Sequence, residues 1–358
     1  MNSKERILAA FRHESVDRVP CSPHMGPGLI SRLQPDEWQA LRTHTDVTMN
    51  AGGLGDLAIF GGQYYLDHCR RTTEGNVTTV EVETPKGMLV STIEVTQESG
   101  GGSTTTEHMG KSDADIERLF SIPYQPPTFD VDAYHHWTQD LGDDGLVALG
   151  TCSPFRVLLG FFGPNALYLR MADDADMMER IVATMYERVA IYIDACMDKG
   201  VEHFWMGGSE HCGPGVVSPK LFRRLVTPYD KRLVAQIHER GGTQNMHMHG
   251  KLKAVCDDLL EIGSDTLSPV ETGLRGDLTL AEAKALIGDR ICVKGNLDDM
   301  AFLAIEPLEA VRAAALDALQ QAAAGGGYIL SGTDAGIYSP EWVQSFLAMA
   351  EVAKTYAL

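Results

Sequence analysis

One repeated unit constrains this chain more than any other feature. From about residue 143 onward, a short apolar run, a glycine- or proline-marked turn and an amphipathic helical segment follow one another repeatedly. The apolar runs fall at 146–149, 203–206, 243–248, 266–268, 291–294 and 328–330. Helix signals lie between them. Asp173 is placed to cap a helix that carries Ile181, Met185, Val189 and Tyr192 on one face and stops at Gly200. Ser218-Pro219 opens the next helix and Gly241-Gly242 closes it. Thr279 and Glu282 form a capping box ahead of Gly288, and Ser339-Pro340 starts a last helix. Short strands alternating with helices of this length predict right-handed βαβ units and a parallel sheet. Six such strands, with earlier ones such as 18–21, predict an α/β fold in which a single domain over 1–358 closes as a (β/α)8 TIM barrel. No GxGxxG follows the first strand, which removes support from a dinucleotide-binding fold.

The segment near residues 69–96 breaks the pattern. Its two β-rich runs flank Pro-Lys-Gly, which predicts a β-hairpin inserted in the barrel. The stretch 100–103 after it reads as a mobile loop.

Composition excludes several partners. With 30 basic against 49 acidic residues the net charge is −19, which repels a phosphate backbone or an anionic membrane surface. No nucleic-acid or membrane partner is expected. No stretch approaches the roughly 18 consecutive apolar residues of a transmembrane helix. The first residues carry no apolar signal core, and the seven cysteines form no CxxC pair. The expectation is a cytoplasmic protein with reduced thiols.

In a barrel of this kind function collects where strands end and βα loops begin. Those places are polar here: Glu210 and His211, His247 and His249, Glu271, Lys294 with Asn296, and Asp334. His247 and His249 give the sharpest signal, because residues i and i+2 of a strand point to the same side. Two imidazoles there can converge on one metal ion, with a carboxylate from Glu210, Glu271 or Asp334 completing an open site. Each residue also has a plainer reading. The His-x-His pair could be polar loop residues. Glu210 could bond loop amides, Glu271 could pair with Arg275, and Asp334 could be a turn residue. His24, after the first strand, faces the same way and is assigned to lining the site. Asn296 either contacts a ligand or fixes its own loop.

The ordered strings KERILAAFRHESVDRVP, VVSPKLFRRLVTPYDKRLVAQIHERGG, HMHGKLKAV, VKGNLDDM and GGGYILSGTDAGIYSPE resemble the uroporphyrinogen decarboxylase superfamily over nearly the whole chain. That resemblance implies a (β/α)8 barrel. It also implies one of two chemistries, since the superfamily includes methyltransferases that exchange methyl groups with a corrinoid protein. The decarboxylases carry an arginine-rich run after the first strand and a histidine in the last glycine-rich turn; this chain has CSPHMGPG and Thr333-Asp334 there. The methyltransferase branch binds zinc through a His-x-Cys pair and a Cys in the last turn. Matching motifs puts His247, His249 and Asp334 on those three positions, so nitrogen and oxygen replace both thiolates. The set implies a harder, more Lewis-acidic Zn2+ or other divalent metal centre.

The leading expectation is therefore a metal-dependent methyltransferase. His247, His249 and Asp334 are its metal ligands, Glu210 and Glu271 its catalytic carboxylates, and His24 and Asn296 its further binding residues. Its substrate is a small-molecule methyl donor or acceptor (a methyl ether, amine or thiol). The cobalamin comes from a separate corrinoid protein, because this chain has no Asp-x-His-x-x-Gly corrinoid motif. Two alternatives use the same barrel: a metal-dependent hydrolase or lyase, and a non-catalytic barrel that binds a tetrapyrrole or a partner.

Overall fold

The structure, a computed structural model, describes residues 1–95, 103–334 and 338–357. Residues 100–102 of the expected mobile loop lie outside the described residues, as do Ala335 and Gly336 of the last turn. The chain divides into two compact units. One comprises Met1–Gly53, Val131–Thr151 and Met197–Leu358; the other comprises Leu54–Asp130 and Cys152–Cys196. Among the described residues no helix is long and apolar enough to cross a membrane.

Among the described residues twelve strands follow in chain order: β1 (His24–Met25), β2 (Val47–Asn50), β3 (Cys69–Glu74), β4 (Val77–Thr84), β5 (Gly87–Val95), β6 (Ser103–Glu107), β7 (Gly145–Cys152), β8 (His203–Gly207), β9 (Thr243–His247), β10 (Thr266–Ser268), β11 (Cys292–Leu297) and β12 (Tyr328–Gly332). Eight form one parallel sheet in the order β1-β2-β7-β8-β9-β10-β11-β12. The sheet closes on itself. Ser22 N–H donates to the Leu330 carbonyl at 2.8 Å, and Leu330 N–H donates to the Pro20 carbonyl at 2.9 Å. The α/β barrel expected from the alternating pattern is thus the fold. The first strand is shorter and later than expected because Pro20 and Pro23 carry no N–H to donate, leaving Cys21 as a single bridge before β1.

The second unit carries the departure from the repeat. β4 and β5 pair antiparallel from Val77↔Glu94 to Thr84↔Gly87, which is the expected hairpin. β3 and β6 extend it to four strands, in the order β3-β4-β5-β6. Threonines and charged residues on β3 and β6 hide their strand character from an apolar-run criterion. The helix expected from Asp173 runs Ala175–Asp198 with Ile181, Met185, Val189 and Tyr192 buried, but its cap is Asp174, whose Oδ1 accepts the Met177 N–H at 2.9 Å.

In the barrel unit, Thr279 and Glu282 cap Leu280–Ile287 reciprocally, and Ser339 Oγ accepts the Trp342 N–H at 3.1 Å to start Pro340–Thr355. The helix opened by Ser218 breaks into Pro219–Leu225 and Thr227–Glu239, because Pro228 cannot donate back into the preceding turn.

A buried ion cluster fixes the entry to the barrel. Asp46 is fully buried and accepts from Arg6 Nη1 at 2.6 Å, Arg18 Nη1 at 2.6 Å and the Cys21 N–H at 2.9 Å. Removing that carboxylate leaves two guanidinium groups facing each other across a dry gap. Asp46→Ala is expected to lower the unfolding free energy by about 3–5 kcal/mol in a urea titration. A loss under about 1 kcal/mol would show that the cluster is solvated like a surface pair.

Candidate active site

The barrel interior departs from the branched apolar filling usual for this architecture. Strand register sets His24 beside Thr48, Trp205 beside Asn245, and His247 beside Ser268. Lys294 of β11 is buried as well. These side chains meet toward the ends of their strands, together with His249 and Asp334 in the loops that follow.

Rings form one wall. Trp205 stacks on His24 with centroids 5.9 Å apart and contacts His247 at 4.7 Å. His247 and His249 meet edge to face, 4.6 Å apart at 87°. Nδ1 of His24, Nδ1 of His247 and Nε1 of Trp205 are buried without a hydrogen-bond partner among the described residues. Burial disfavours the imidazolium of His247 most, with Asp334 partly opposing, and lowers its pKa to about 3. His24 falls to about 4 for the same reason. Both rings are neutral near pH 7, so each can offer a nitrogen lone pair.

His249 is held differently. Its Nδ1 lies 3.3 Å from Glu271 Oε1, while Glu271 Oε2 accepts the Gly250 N–H at 2.9 Å. Burial works against the charge on His249, but the hydrogen bond and charge of Glu271 outweigh it and raise the pKa. Glu271 is 4% exposed, and although burial opposes its ionisation, His249 and the Gly250 amide pull its pKa below the usual value. A carboxylate on one nitrogen of a histidine fixes the ring and leaves Nε2 for another partner. Arg275 pairs with Asp298 at 3.2 Å rather than with Glu271.

Asp334 carries the main charge of the site. Its carboxylate lies 3.2 and 3.3 Å from Lys294 Nζ, and both side chains are 1% exposed. Burial alone would raise its pKa; Lys294, then His24 and His247, hold it down at about 2. Its φ of 55° is left-handed, a conformation that aspartate tolerates better than most residues. The turn is clamped from the neighbouring loop. Asp299 accepts the Trp342 indole N–H at 2.8 Å, its own N–H donates to Thr333 Oγ1 at 3.2 Å, and a Cβ on Gly332 would sit 2.1 Å from its Oδ1.

The expected residues separate accordingly. His24, His247, His249 and Asp334 come together, and Glu271 supports His249. Glu210 turns back on its own loop, accepting the Gly208 N–H at 2.8 Å and lying 3.3 Å from His211 Nε2, although its charge still reaches His249. Asn296 lines a different cavity with Glu271, Arg275 and Asp298. Among the described residues no three of His, Cys, Asp or Glu are preassembled as a metal-binding group. Thr48 and Trp205 were not singled out from sequence, and Lys294 was noted at its strand end but given no role. A lysine inside the apolar run of a parallel strand was the available signal.

The donor types fit a divalent cation: an orphaned neutral nitrogen on His247, a carboxylate-oriented ring at His249, and an ionised buried carboxylate at Asp334. Lys294 opposes it, since its ammonium occupies the same carboxylate.

A model of the uroporphyrinogen decarboxylase (URO-D) family matches residues 90–356, well over half of the chain. The chain belongs to the uroporphyrinogen decarboxylase family. Within it, a methylcobamide:CoM methyltransferase MtaA from Methanosarcina barkeri is 27% identical over 319 residues, covering 88% of each chain. A uroporphyrinogen decarboxylase from Methylibium petroleiphilum is 29% identical over 164 residues, 44% of this chain and 41% of that protein. A solved methyltransferase from Methanosarcina mazei superposes with a TM-score of 0.65 at 16% identity, over 98% of each chain, which supports the family's barrel as the fold.

The two depressed histidines predict an acid-side loss of stability. They titrate at about 4 and about 3 in the fold, against 6.5 as the ordinary value. Below pH 6.5 the unfolded chain therefore binds protons that the folded chain refuses. Their contribution is complete above that pH and falls away as the pH drops toward about 3. Urea titrations from about pH 7 to about pH 5 should show declining stability, with a shallower slope in His24→Gln. An unchanged slope in that variant would mean that His24 titrates in the fold as it does in the unfolded chain.

Proposed function

We propose that this chain transfers a methyl group between a small molecule (a methyl ether, amine or thiol) and a corrinoid carried by a separate protein, at a divalent metal, zinc first, held by His247, His249 and Asp334. The observation that carries this reading is the orphaned, neutral Nδ1 of His247, buried 4.6 Å ring to ring from a histidine that Glu271 orients. A bound divalent ion would supply Lewis acidity toward the heteroatom that bears or receives the methyl group.

The remaining work falls to the chain's own groups. Glu271 keeps the His249 ring from rotating. The wall of Trp205 and His24 excludes water from one side of the site. Glu210, half-buried at the neighbouring strand end, would accept a proton released at the mouth only by turning away from the Gly208 amide and His211. The relative named as a methylcobamide:CoM methyltransferase, matched over 88% of both chains, supports the methyltransferase branch.

The surface around the mouth supports a protein partner. Val216 is 52% exposed in the loop after β8, Leu274 fully exposed after β10, and Met300 and Ile305 are 51% and 69% exposed after β11. Exposed apolar side chains in the loops after β8, β10 and β11 suit a partner that delivers its cofactor over the barrel mouth. The absence of an arginine-rich run after β1 argues against the polycarboxylate substrate of the decarboxylases, as does the acidic net charge.

Anaerobic incubation with methylcobalamin or cob(I)alamin and a panel of methyl donors and thiols should change the cobalamin absorbance at an enzymatic rate. Asp334→Asn, which leaves an amide oxygen as a partner for Lys294, should abolish that change with the fold retained. No methyl transfer with any donor or acceptor would contradict the proposal. Purified protein grown with zinc should carry close to one zinc per chain, and His247→Ala should lose it; metal-free wild type would contradict the ligand set. Uroporphyrinogen should remain unreacted, and appearance of coproporphyrinogen would place the chain with the decarboxylases instead.

A further inference from the structure

A lysine inside a parallel barrel strand needs a reason, because apolar residues are the rule there and a buried charge must be fully compensated. Lys294 is compensated completely. Its Nζ lies 3.0 Å from Thr48 Oγ1 and 3.2 and 3.3 Å from the two oxygens of Asp334, which accounts for all three ammonium hydrogens. Thr48 is itself fixed: Ser22 Oγ donates to its hydroxyl at 2.9 Å, and that hydroxyl lies 3.3 Å from the Pro23 carbonyl. The charge of Asp334 is therefore already neutralised by the protein before any metal arrives.

We infer that Lys294 is the resident counter-ion of Asp334 which a divalent cation must displace, so that this lysine sets the metal affinity of the site. The inference rests on the metal reading proposed above. Two cations cannot share one buried carboxylate without strong repulsion in a medium of low polarity. Displacement has somewhere to go, because the ammonium keeps the Thr48 hydroxyl as a partner when the carboxylate turns away. Neither His247 nor His249 is hydrogen-bonded to Lys294, although the lysine charge reaches His247. Lys294 is thus a tuning residue that acts through Asp334, not a ligand.

Zinc affinity, measured by competition with a chromophoric chelator, reads this without reference to turnover. Lys294→Met should bind Zn2+ about tenfold or more tightly than wild type. Lys294→Arg, which keeps the charge, should show no such gain, and Lys294→Met combined with Asp334→Asn should lose it. Without zinc, Lys294→Met leaves a buried carboxylate unpaired and should unfold at a lower temperature; added Zn2+ should raise that temperature more than it does in wild type. Equal or weaker zinc binding by Lys294→Met beside a zinc-binding wild type overturns the inference and leaves the metal reading standing. Failure of Lys294→Met to fold even with zinc present also overturns it, since the ion would then be unable to take the lysine's place. Zinc binding by none of the variants overturns both.

Discussion

Closure of the parallel sheet between Leu330 and the segment Pro20–Ser22 is the constraint on which the rest of the site depends. Without it the first strand and the last would be opposite edges of an open sheet, and His24 and Asp334 would be far apart. With it, the last turn approaches β1 and β2, so Lys294 can reach Thr48 and Asp334 at once. The buried Asp46 cluster supports the same place from the other end, by tying Arg6 and Arg18 to the Cys21 amide. The closing strand is short and interrupted by prolines, so side chains supply bonds that the ladder cannot.

Inside the closed sheet, polar groups are placed at high energetic stake. A low-polarity interior strengthens every satisfied contact and penalises every unsatisfied one. The Lys294–Asp334 pair is satisfied on all sides, and so is Glu271 between His249 and the Gly250 amide. Unsatisfied atoms include ring nitrogens of His24, His247 and Trp205, and also both amide atoms of Gln244 on β9, all buried without partners among the described residues. Native proteins seldom leave such groups orphaned without a ligand, a water or a catalytic use for them. That contrast between a compensated ion pair and uncompensated rings is what separates this barrel mouth from a merely structural core.

Much of this was legible in the sequence, for reasons that differ by residue. The parallel strands were visible because apolar runs between glycine- and proline-marked turns are the direct signature of strands buried on both faces. Capping chemistry located helix starts well at Thr279 and Ser339, where a single side chain decides the geometry. It failed by one residue at Asp173, because two adjacent aspartates compete for the same role. The outer strands of the antiparallel sheet were hidden, since β3 and β6 are threonine- and charge-rich and apolar spacing cannot find them. In the site, His247 and His249 meet, but strand spacing does not explain it, because β9 ends at His247 and His249 lies in the following loop, where Glu271 holds it. Pairings that depend on closure, such as Lys294 with Asp334, have no local signal in the chain. Asn296 shows the same limit from the other side: a polar residue at a strand end can still line a neighbouring cavity instead of the central one.

In the proposed metal centre, nitrogen and oxygen donors of this barrel take the place of thiolates. X-ray absorption at the zinc edge of zinc-loaded protein tests this most directly. A first shell of nitrogen and oxygen alone is expected, at about 2.0–2.2 Å, with imidazole scattering from two histidines. A sulfur shell at about 2.3 Å, or zinc without any imidazole signature, would contradict it.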